Sequence, residues 1–438
     1  MIFPQPLLIF ICLALPAYFI YFLKRHLWAV AFVATVTIVD IFNSQTYMNL
    51  AAILLFGIVV IPHLWVNRSK LIKNKATWPF AAYFVLLVIL GAYHGFLQPW
   101  PDVTGLRSVK DQAGMRTVLH LGRTFLEFCV MLYLVLQIER QPKETLKTYL
   151  KTVFFGSIAL CVGAVLERVL EFDFYHFFTG GRAYIMTFRS RSLALEPRDL
   201  SQNLAHGILM LPFTPFGAWK YWMVIPFLIF GFYATFSFSG IVVLAVGVFT
   251  LAAYFVLQRR EQLRKYKAKI AIGLILMLTG LGVGFNFLPA YPKEYLITHL
   301  GFLSAPSVTE KLEVYDAAAM NFLNQNPKYY LFGTGPGLIY LPATSYILPR
   351  DQEVFHGGFE ALPHMGLVLI LSNAGLVGLF LFLFGVYYAI ARKRFVKSDY
   401  VVVSCILIGI YFFQIKNFYL FGLAGLIANE GGNANQEV

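Results

Sequence analysis

Charged side chains are scarce in this chain. Asp, Glu, Lys and Arg together make up 13% of the sequence, whereas a soluble domain carries about 25%. Hydrophobic residues make up 58%. So little polar surface cannot enclose an apolar core in water, which excludes a soluble globular protein and indicates that the lipid bilayer is the solvent.

Cysteine is also rare, and metal-binding motifs are missing. The chain has no Asp-x-Asp sequence, and sugar-nucleotide transferases commonly need a metal to handle the diphosphate. We therefore predict that the protein uses no metal and no cofactor. The cysteines all lie in apolar stretches, so buried free thiols are expected instead of a disulfide framework or a zinc site. They are Cys12, Cys129, Cys161 and Cys405.

Apolar runs long enough to cross a membrane, about 17–25 residues, recur along the whole chain. Residues 1–23 lack a basic stretch and an Ala-x-Ala cleavage site, so we expect a retained first helix. The sequence predicts an all-α, polytopic bundle of about 12–13 transmembrane spans, the last being a short segment that turns back into the membrane. The runs are 5–23, 27–43, 47–66, 77–94, 119–138, 150–170, 200–217, 221–237, 238–258, 270–289, 364–391, 399–415 and 417–428.

The net charge of +13 indicates membrane orientation, not binding to nucleic acid. Most of the 35 lysines and arginines lie in short loops on one side of the predicted spans. Acidic residues favour the other side. Basic loops stay in the cytoplasm, so we expect no nucleic-acid partner. The basic positions are 24–25, 67–75, 139–151, Lys220, 258–269 and 392–398.

The non-cytoplasmic side carries the longest polar segments. The largest, 290–363, is too long for a simple connector. We predict an amphipathic helix over 308–326 that lies on the membrane face or packs on the ends of the spans. Ser307 and Glu310 form a capping box before it, and Asn326-Pro327 ends it. The predicted organisation is helices and short loops in 1–289, including the arginine-bearing loop 171–199, then the long loop 290–363, further spans in 364–428 and a polar tail in 429–438.

Four arginines concentrate in the loop 171–199, where few cations are expected. A guanidinium group binds phosphate oxygens in a bidentate manner, so this surplus indicates a lipid-linked phosphate or diphosphate as ligand. The alternative is pairing with acidic residues of the same loop. The arginines are Arg182, Arg189, Arg191 and Arg198, and the acidic residues are Glu171, Asp173, Glu196 and Asp199.

Glu196-Pro197 precedes a predicted helix, and proline suits a first helical turn. Gln202 and Asn203 lie at the mouth of this helix, where polar side chains either satisfy backbone N–H groups or orient sugar hydroxyls. His206 lies one turn deeper. It must face the interior of the bundle, because a histidine that faces lipid is costly.

Gly333-Thr-Gly-Pro-Gly337 and His364 mark a second candidate site. Glycines permit φ > 0 and let a ligand approach backbone N–H groups, so Gly335 and Gly337 are candidate substrate-binding residues. The segment is not a Walker A loop, since no Lys-Ser/Thr follows it. His364, at the mouth of a span, would accept a proton from a sugar hydroxyl or orient that hydroxyl. His356 is a weaker candidate for the same role.

In order and topology these motifs resemble the O-antigen polymerase/ligase family, which are bacterial polytopic membrane glycosyltransferases. The family has a long periplasmic loop with Asn-Pro and Gly-x-Gly-x-Gly, followed by a span that opens with His and carries Gly-x-x-Gly. The matching segments fall within residues 185–385. They are Glu196-Pro197-Arg198, Ser237-Phe-Ser239-Gly240, Asn326-Pro327, Gly333-Thr-Gly-Pro-Gly337, His364 and Gly375-Leu-Val-Gly378.

The resemblance implies a metal-independent, inverting transfer of a glycan from undecaprenyl diphosphate to a sugar hydroxyl, on the periplasmic face of the bacterial inner membrane. It implies a lipid-linked donor, an acceptor glycan or glycolipid, and other polysaccharide assembly proteins as partners. The implied catalytic residues are His364 and Arg191, the diphosphate-binding residues are Arg189, Arg191, Arg198 and Lys311, and the substrate-binding residues are Glu196, Gln202, Gly335, Gly337 and His356.

Three positions depart from the family's pattern. Phe238 and Lys311 stand where an arginine is usual, and Asn373 stands where an acidic residue is frequent. The first two changes remove part of the usual cationic site, for which Arg189, Arg191 and Lys311 would compensate.

Within the family, a polymerase and a ligase differ only in their acceptor. The polymerase extends another lipid-linked unit, and the ligase transfers to lipid A-core. The Glu-Pro pair favours a polymerase, whereas Gly-Pro-Gly is common in ligases, and we prefer the polymerase. The alternative from another class is a transporter of lipid-linked glycans, but transporters commonly contain internal repeats, and none is found in this sequence.

Overall fold

The computed structural model describes residues 59–98, 100, 112–173, 189–190, 192, 197–214, 218–235, 237–258, 312–347, 363–393, 399–413 and 419–429, with isolated positions at 18, 26–27, 293–294 and 297. Within this part of the chain every regular element is a helix, and no strand occurs. Four of the described segments are long and apolar enough to cross a membrane. They are Lys75–Leu97, Ala113–Arg140, Pro142–Leu170 and Gly366–Arg392.

The prediction of an all-helical chain with membrane-type helices is therefore confirmed. The predicted spans 5–23, 27–43 and 270–289 lie outside the described residues, as does most of 47–66. The described α-helices are α1 Ile61–Val66, α2 Arg68–Lys73, α3 Trp78–Ala92, α4 Ala113–Arg140, α5 Pro142–Leu170, α6 Pro197–Met210, α7 Ala218–Ala234, α8 Phe238–Gln258, α9 Val314–Gln325, α10 Pro327–Phe332, α11 Tyr340–Ala343, α12 Gly366–Arg392, α13 Asp399–Phe413 and α14 Tyr419–Ile427.

Helix α12 packs on α3, and α6 packs on α5, α7 and α8. Helices α8, α13, α14 and α4 connect these groups through a shared apolar core. Helix α14 is buried along almost its whole length. Its 9 residues are too few to cross a bilayer, which needs about 20. This matches the short last segment that the sequence predicts at 417–428.

The boundaries of α9 show how the long loop is built. The helix ends at Gln325 before Asn326-Pro327, as predicted, and Pro327 occupies the first turn of α10. It begins at Val314 and not at 308, because Glu313 adopts an extended conformation with φ −65° and ψ 159°. Ser307 and Glu310, the predicted capping box, lie outside the described residues.

Helix α12 is interrupted at Gly375, whose φ of 62° and ψ of −165° are not helical. The interruption frees the carbonyl groups of the preceding residues from their usual partners one turn ahead. The glycine-rich turn supplies replacements, since Thr334 N donates to Ser372 O at 2.8 Å and Gly335 N donates to Asn373 O at 3.1 Å. The broken helix and the glycine turn therefore complete each other's backbone hydrogen bonds.

Several polar residues inside the helices are paired as the sequence predicts. Arg123 Nε lies 2.8 Å from Glu127 Oε1, the expected i,i+4 pair. His206 is 2% exposed, and its Nε2 lies 3.0 Å from Tyr149 Oη. Free thiols are confirmed at the described cysteines, with Cys129 and Cys161 buried and Cys405 partly buried.

Candidate functional site

Three residues distant in sequence meet where α6, α9 and α12 begin, and we call them the Arg–Glu–His cluster: Arg198, Glu313 and His364. Arg198 Nη1 lies 3.2 Å from Glu313 Oε2 and 2.9 Å from His364 Nδ1. His364 Nδ1 lies 2.8 Å from Glu313 Oε2. The side chains of Arg198 and His364 are each 25% exposed and that of Glu313 is 46% exposed, so a ligand has access to all three.

Local sequence places each member of the cluster. Pro197 opens α6, so Arg198 lies in its first turn. Glu313 immediately precedes α9, and His364 stands two residues before α12 begins at Gly366. Each helix start carries a partial positive charge from its unpaired N–H groups. Three such ends and the guanidinium group of Arg198 favour an anion at this position, and the carboxylate of Glu313 already supplies one.

The hydrogen bonds define the protonation of the imidazole. Nδ1 cannot both donate to Glu313 and accept from Arg198, and an ionised carboxylate has no proton to give. The consistent arrangement has Nδ1–H donating to Glu313, while Arg198 forms an ion pair with the same carboxylate. In this tautomer the lone pair lies on Nε2, where Arg198 Nη2 approaches to 3.4 Å.

Glu313 is held in its ionised form. Burial alone would raise the pKa of its carboxyl group, but the hydrogen bond from His364 and the charges of His364 and Arg198 outweigh burial. The net effect lowers the pKa of Glu313 below its ordinary value. An ionised Glu313 keeps Nδ1 protonated and stabilises any positive charge that develops on the ring.

Asp316 lies one turn along α9 from Glu313 and contacts the same histidine from behind. Its Oδ1 accepts hydrogen bonds from the backbone N–H groups of His364 and Met365, both at 3.1 Å. The side chain is fully buried, and Oδ2 has no hydrogen-bond partner among the described residues. Burial raises the pKa of Asp316 to about 6, although the charge of His364 and the two backbone bonds oppose that rise.

The raised pKa of Asp316 predicts a pH-dependent stability. Because the folded state holds this proton more tightly than an unfolded chain does, the contribution of Asp316 is greatest below pH 4 and is lost as pH rises through about 6. We expect Asp316→Asn to gain up to about 3 kcal/mol of unfolding free energy relative to the native chain between pH 4 and 7. Denaturant titrations of both proteins at several pH values measure this difference.

The control is Asp399→Asn, at an exposed position where α13 begins. Its titrations at the same pH values show how much of the change comes from removing a surface charge. A difference for Asp316→Asn that does not vary with pH would show that the buried carboxyl group has no unusual proton affinity.

Glu313, Asp316 and His364 also have the side-chain types of a metal site, with ligand atoms within 4.8 Å of one another. The guanidinium group of Arg198 already contacts the Glu313 and His364 atoms that an ion would need. Asp316 Oδ1 is occupied by two backbone donors. The cluster therefore already contains one cation, the guanidinium group of Arg198.

Arg189 lies beside the turn that joins α7 to α8. Its Nε donates to Thr235 O at 3.0 Å, at the end of α7. The start of α8 packs on α6, where a Cβ at Gly240 would lie 2.6 Å from Ser201 Cβ. The α7–α8 turn thus adjoins both arginine-bearing segments.

Backbone hydrogen bonds hold Ser190 and Ser192 in place. Ser192 N donates to Glu167 Oε2 at 2.7 Å, and Ser190 N donates to Ala234 O at 2.9 Å. Ser192 has a left-handed φ of 54°.

Other predicted site residues lie outside the described part of the chain, and their roles stay predictions. These are Arg182, Arg191, Glu196, Lys311 and His356.

The backbone of the glycine turn, Gly333–Gly337, forms hydrogen bonds with other helices of the protein. Gly337 N donates to Asn373 Oδ1 at 3.2 Å, and Gly337 O accepts from Arg116 Nε at 2.9 Å. The Arg116 guanidinium group lies 3.5 Å from the centre of the Tyr340 ring. Substrate contacts at Gly335 and Gly337 stay predictions, and the structure gives both residues a packing role. Gln202 is buried in α6, one turn from Arg198.

Sequence reasoning did not identify Glu313 and Asp316 as site residues. Asp316 lies in the first turn of α9, and Glu313 lies three residues earlier, directly before the helix. That signal alone is common on surface helices, and only the contact with His364 gives it meaning.

No protein-family model and no curated protein matches this chain. The functional assignment therefore depends on the chemistry of the cluster.

Proposed function

We propose that this protein is a glycosyltransferase of the bacterial inner membrane that moves a glycan from undecaprenyl diphosphate to an acceptor sugar hydroxyl on the periplasmic face. The acceptor that we favour is a second lipid-linked unit, which makes the protein an O-antigen or exopolysaccharide polymerase. The observation that carries this proposal is the Arg–Glu–His cluster, in which Arg198 and Glu313 both contact the imidazole ring of His364.

The donor diphosphate would bind at Arg198 and the adjoining helix ends. Arg198 provides paired N–H donors that suit phosphate oxygens, and Arg189 lies on a neighbouring segment. As the bond between C1 of the sugar and the phosphate oxygen breaks, its electron pair stays on the diphosphate. Cationic groups fixed in place stabilise this growing charge, which is the largest electrostatic contribution to such a reaction.

The acceptor hydroxyl would be activated by His364. Nε2 takes the hydroxyl proton while the hydroxyl oxygen forms its bond to C1 from the face opposite the leaving diphosphate, which inverts the anomeric configuration. Glu313, at 2.8 Å from Nδ1, stabilises the imidazolium ion that results. The proton then passes to water, and His364 returns to its starting form.

The positions of basic residues support the membrane orientation. Arg140, Lys143, Arg392 and Lys393 lie at helix ends opposite to the start of α12, which agrees with a cytoplasmic location for them. In this orientation the Arg–Glu–His cluster faces the periplasm, within a bundle of about 12–13 spans and beside the long loop 290–363.

A ligase that transfers to lipid A-core would use the same cluster, since only the acceptor differs. A transporter of lipid-linked glycans is the candidate from another class, and the broken helix α12 is a feature that transporters share. In transporters such breaks expose backbone groups to a substrate. Here the glycine turn occupies the groups freed at Ser372 and Asn373, which favours an enzyme.

Chemical analysis of the surface glycan in a deletion strain tests this proposal. We expect a polymerase deletion to leave single repeat units on the acceptor, because units are made but not joined. A ligase deletion should instead accumulate long lipid-linked polymer. An unchanged surface glycan would contradict both assignments, and repeat units trapped on the cytoplasmic side would support the transporter.

A further inference from the structure

Helix α9 holds His364 from two directions. Glu313 contacts the ring at Nδ1, and Asp316 bonds the backbone N–H groups of His364 and Met365. The Tyr315 ring stands edge-on to the imidazole, with centroids 5.3 Å apart. Residues 313–316, where α9 begins, thus contact both the backbone and the ring of a single histidine.

Asp316 bonds the two backbone N–H groups that immediately precede α12. Met365 occupies the N-cap position of α12 and makes no side-chain capping bond. A helix start without a cap is free to fray, and His364 lies directly before it. Asp316 therefore decides where the chain enters α12, and with it where the imidazole stands.

Packing alone does not explain a carboxyl group at position 316. A fully buried carboxyl group with one oxygen unpartnered among the described residues is unfavourable for stability. An apolar side chain would fill the same space without that cost. Among the described residues, the two hydrogen bonds from His364 N and Met365 N are the interactions that offset this cost.

We propose that Asp316 is a positioning residue for the transfer reaction, which acts through the backbone of His364 to keep Nδ1 on Glu313 and Nε2 toward the acceptor. This inference rests on the proposed function. Glu313 and Arg198 would remain in place without Asp316, but the imidazole would lose its fixed distance from the acceptor hydroxyl. Misplacement of a reacting group by about 1 Å can lower a rate by about 100-fold.

The test compares Asp316→Ala with Asp316→Asn in the purified full-length chain, with a synthetic undecaprenyl-diphosphate glycan as donor. Asn keeps an oxygen acceptor for the two N–H groups, so we expect its kcat within about threefold of the native value. We expect Ala to lower kcat by about 10–100-fold and to leave the donor KM within twofold, because the arginines are untouched. Should Asp316→Ala fail to accumulate, Asp316→Glu keeps the charge and displaces the bonds, and a similar loss of kcat is expected.

A double-substitution cycle with Glu313→Gln separates positioning from general stability. Both changes act through one imidazole, so we expect the combined loss to be clearly smaller than the product of the single losses. Losses that multiply, or a native kcat in Asp316→Ala, would overturn the inference while leaving the proposed function intact. Absence of transfer by the native chain would instead refute the proposed function.

Discussion

Replacing His364 with alanine is expected to lower glycan transfer by about 10²–10⁴-fold, the range that a general base contributes. The change removes the Nε2 lone pair, which is the proton acceptor of the cluster. It leaves the ion pair between Arg198 and Glu313 in place, so we expect the protein to accumulate normally. Polymer length on the cells, together with the amount of protein in the membrane, measures both effects.

The matched control is His63→Ala. His63 is a half-buried histidine in α1. Its Nε2 lies 3.4 Å from Nε2 of Gln137, near the C-terminal end of α4. We expect the loss of His63 to leave transfer unchanged. Arg198→Ala should resemble His364→Ala, because removal of one donor that stabilises a growing negative charge lowers a rate by about 10²–10³-fold. Native polymer in the His364→Ala strain would remove the basis for the catalytic role of the cluster.

Replacing Gly375 with alanine is expected to prevent the protein from accumulating. Its φ of 62° and ψ of −165° fall in a region open essentially to glycine alone, and a side chain there costs about 1–3 kcal/mol. A Cβ would also collide with the backbone of Leu331 and Phe332. The collision would separate the glycine turn from α12 and release the hydrogen bonds that join them.

Gly122→Ala is the control for this change. Gly122 lies in α4, and no atom stands within 4 Å of the position its Cβ would take. Alanine in a helix is favoured over glycine by about 0.5–1 kcal/mol, so we expect equal or greater accumulation. Gly333→Ala should behave like Gly375→Ala, since its Cβ would lie 2.5 Å from Ala374 N. Quantitative blotting of the three variants in the membrane measures whether glycine is required at each position. Normal levels of Gly375→Ala would show that the interruption of α12 is not required.

Local rules are sufficient for much of the helical layout. Hydropathy predicts the long spans, and Asn326-Pro327 predicts the end of α9. Such features depend on residues close together in sequence, so no tertiary information is needed. The same applies to the pairing of Arg123 with Glu127, which lie one helical turn apart.

The composition of the site depends on contacts between distant segments. Arg198 and His364 can be nominated from their chemistry, but Glu313 and Asp316 resemble any acidic pair on a surface helix. The glycine turn illustrates the other limit. A pattern such as Gly333-Thr-Gly-Pro-Gly337 shows that the backbone needs positive φ and close approach, but it does not show what approaches. In this fold the neighbour of Thr334 and Gly335 is the interrupted helix α12.

Asn373, which departs from the family's pattern, has a structural role in this protein. An acidic residue is frequent at this position in the family that the chain resembles. Here the Asn373 side chain accepts a hydrogen bond from Gly337 N, and its backbone carbonyl accepts one from Gly335 N. The position serves the junction between the turn and α12, which sequence comparison by motif alone does not reveal.

The most direct test of the account is a reconstituted transfer reaction with the purified chain in lipid nanodiscs, in the presence of EDTA. The donor is a synthetic glycan on undecaprenyl diphosphate, and the readout is release of undecaprenyl diphosphate together with a lengthened glycan. We predict full activity with EDTA for the native chain and for Glu144→Gln, whose exposed side chain pairs only with Lys147 among the described interactions. We predict severe loss for Glu313→Gln and His364→Ala. Transfer that disappears with EDTA, or that persists undiminished in both cluster variants, would contradict a metal-independent reaction at the Arg–Glu–His cluster.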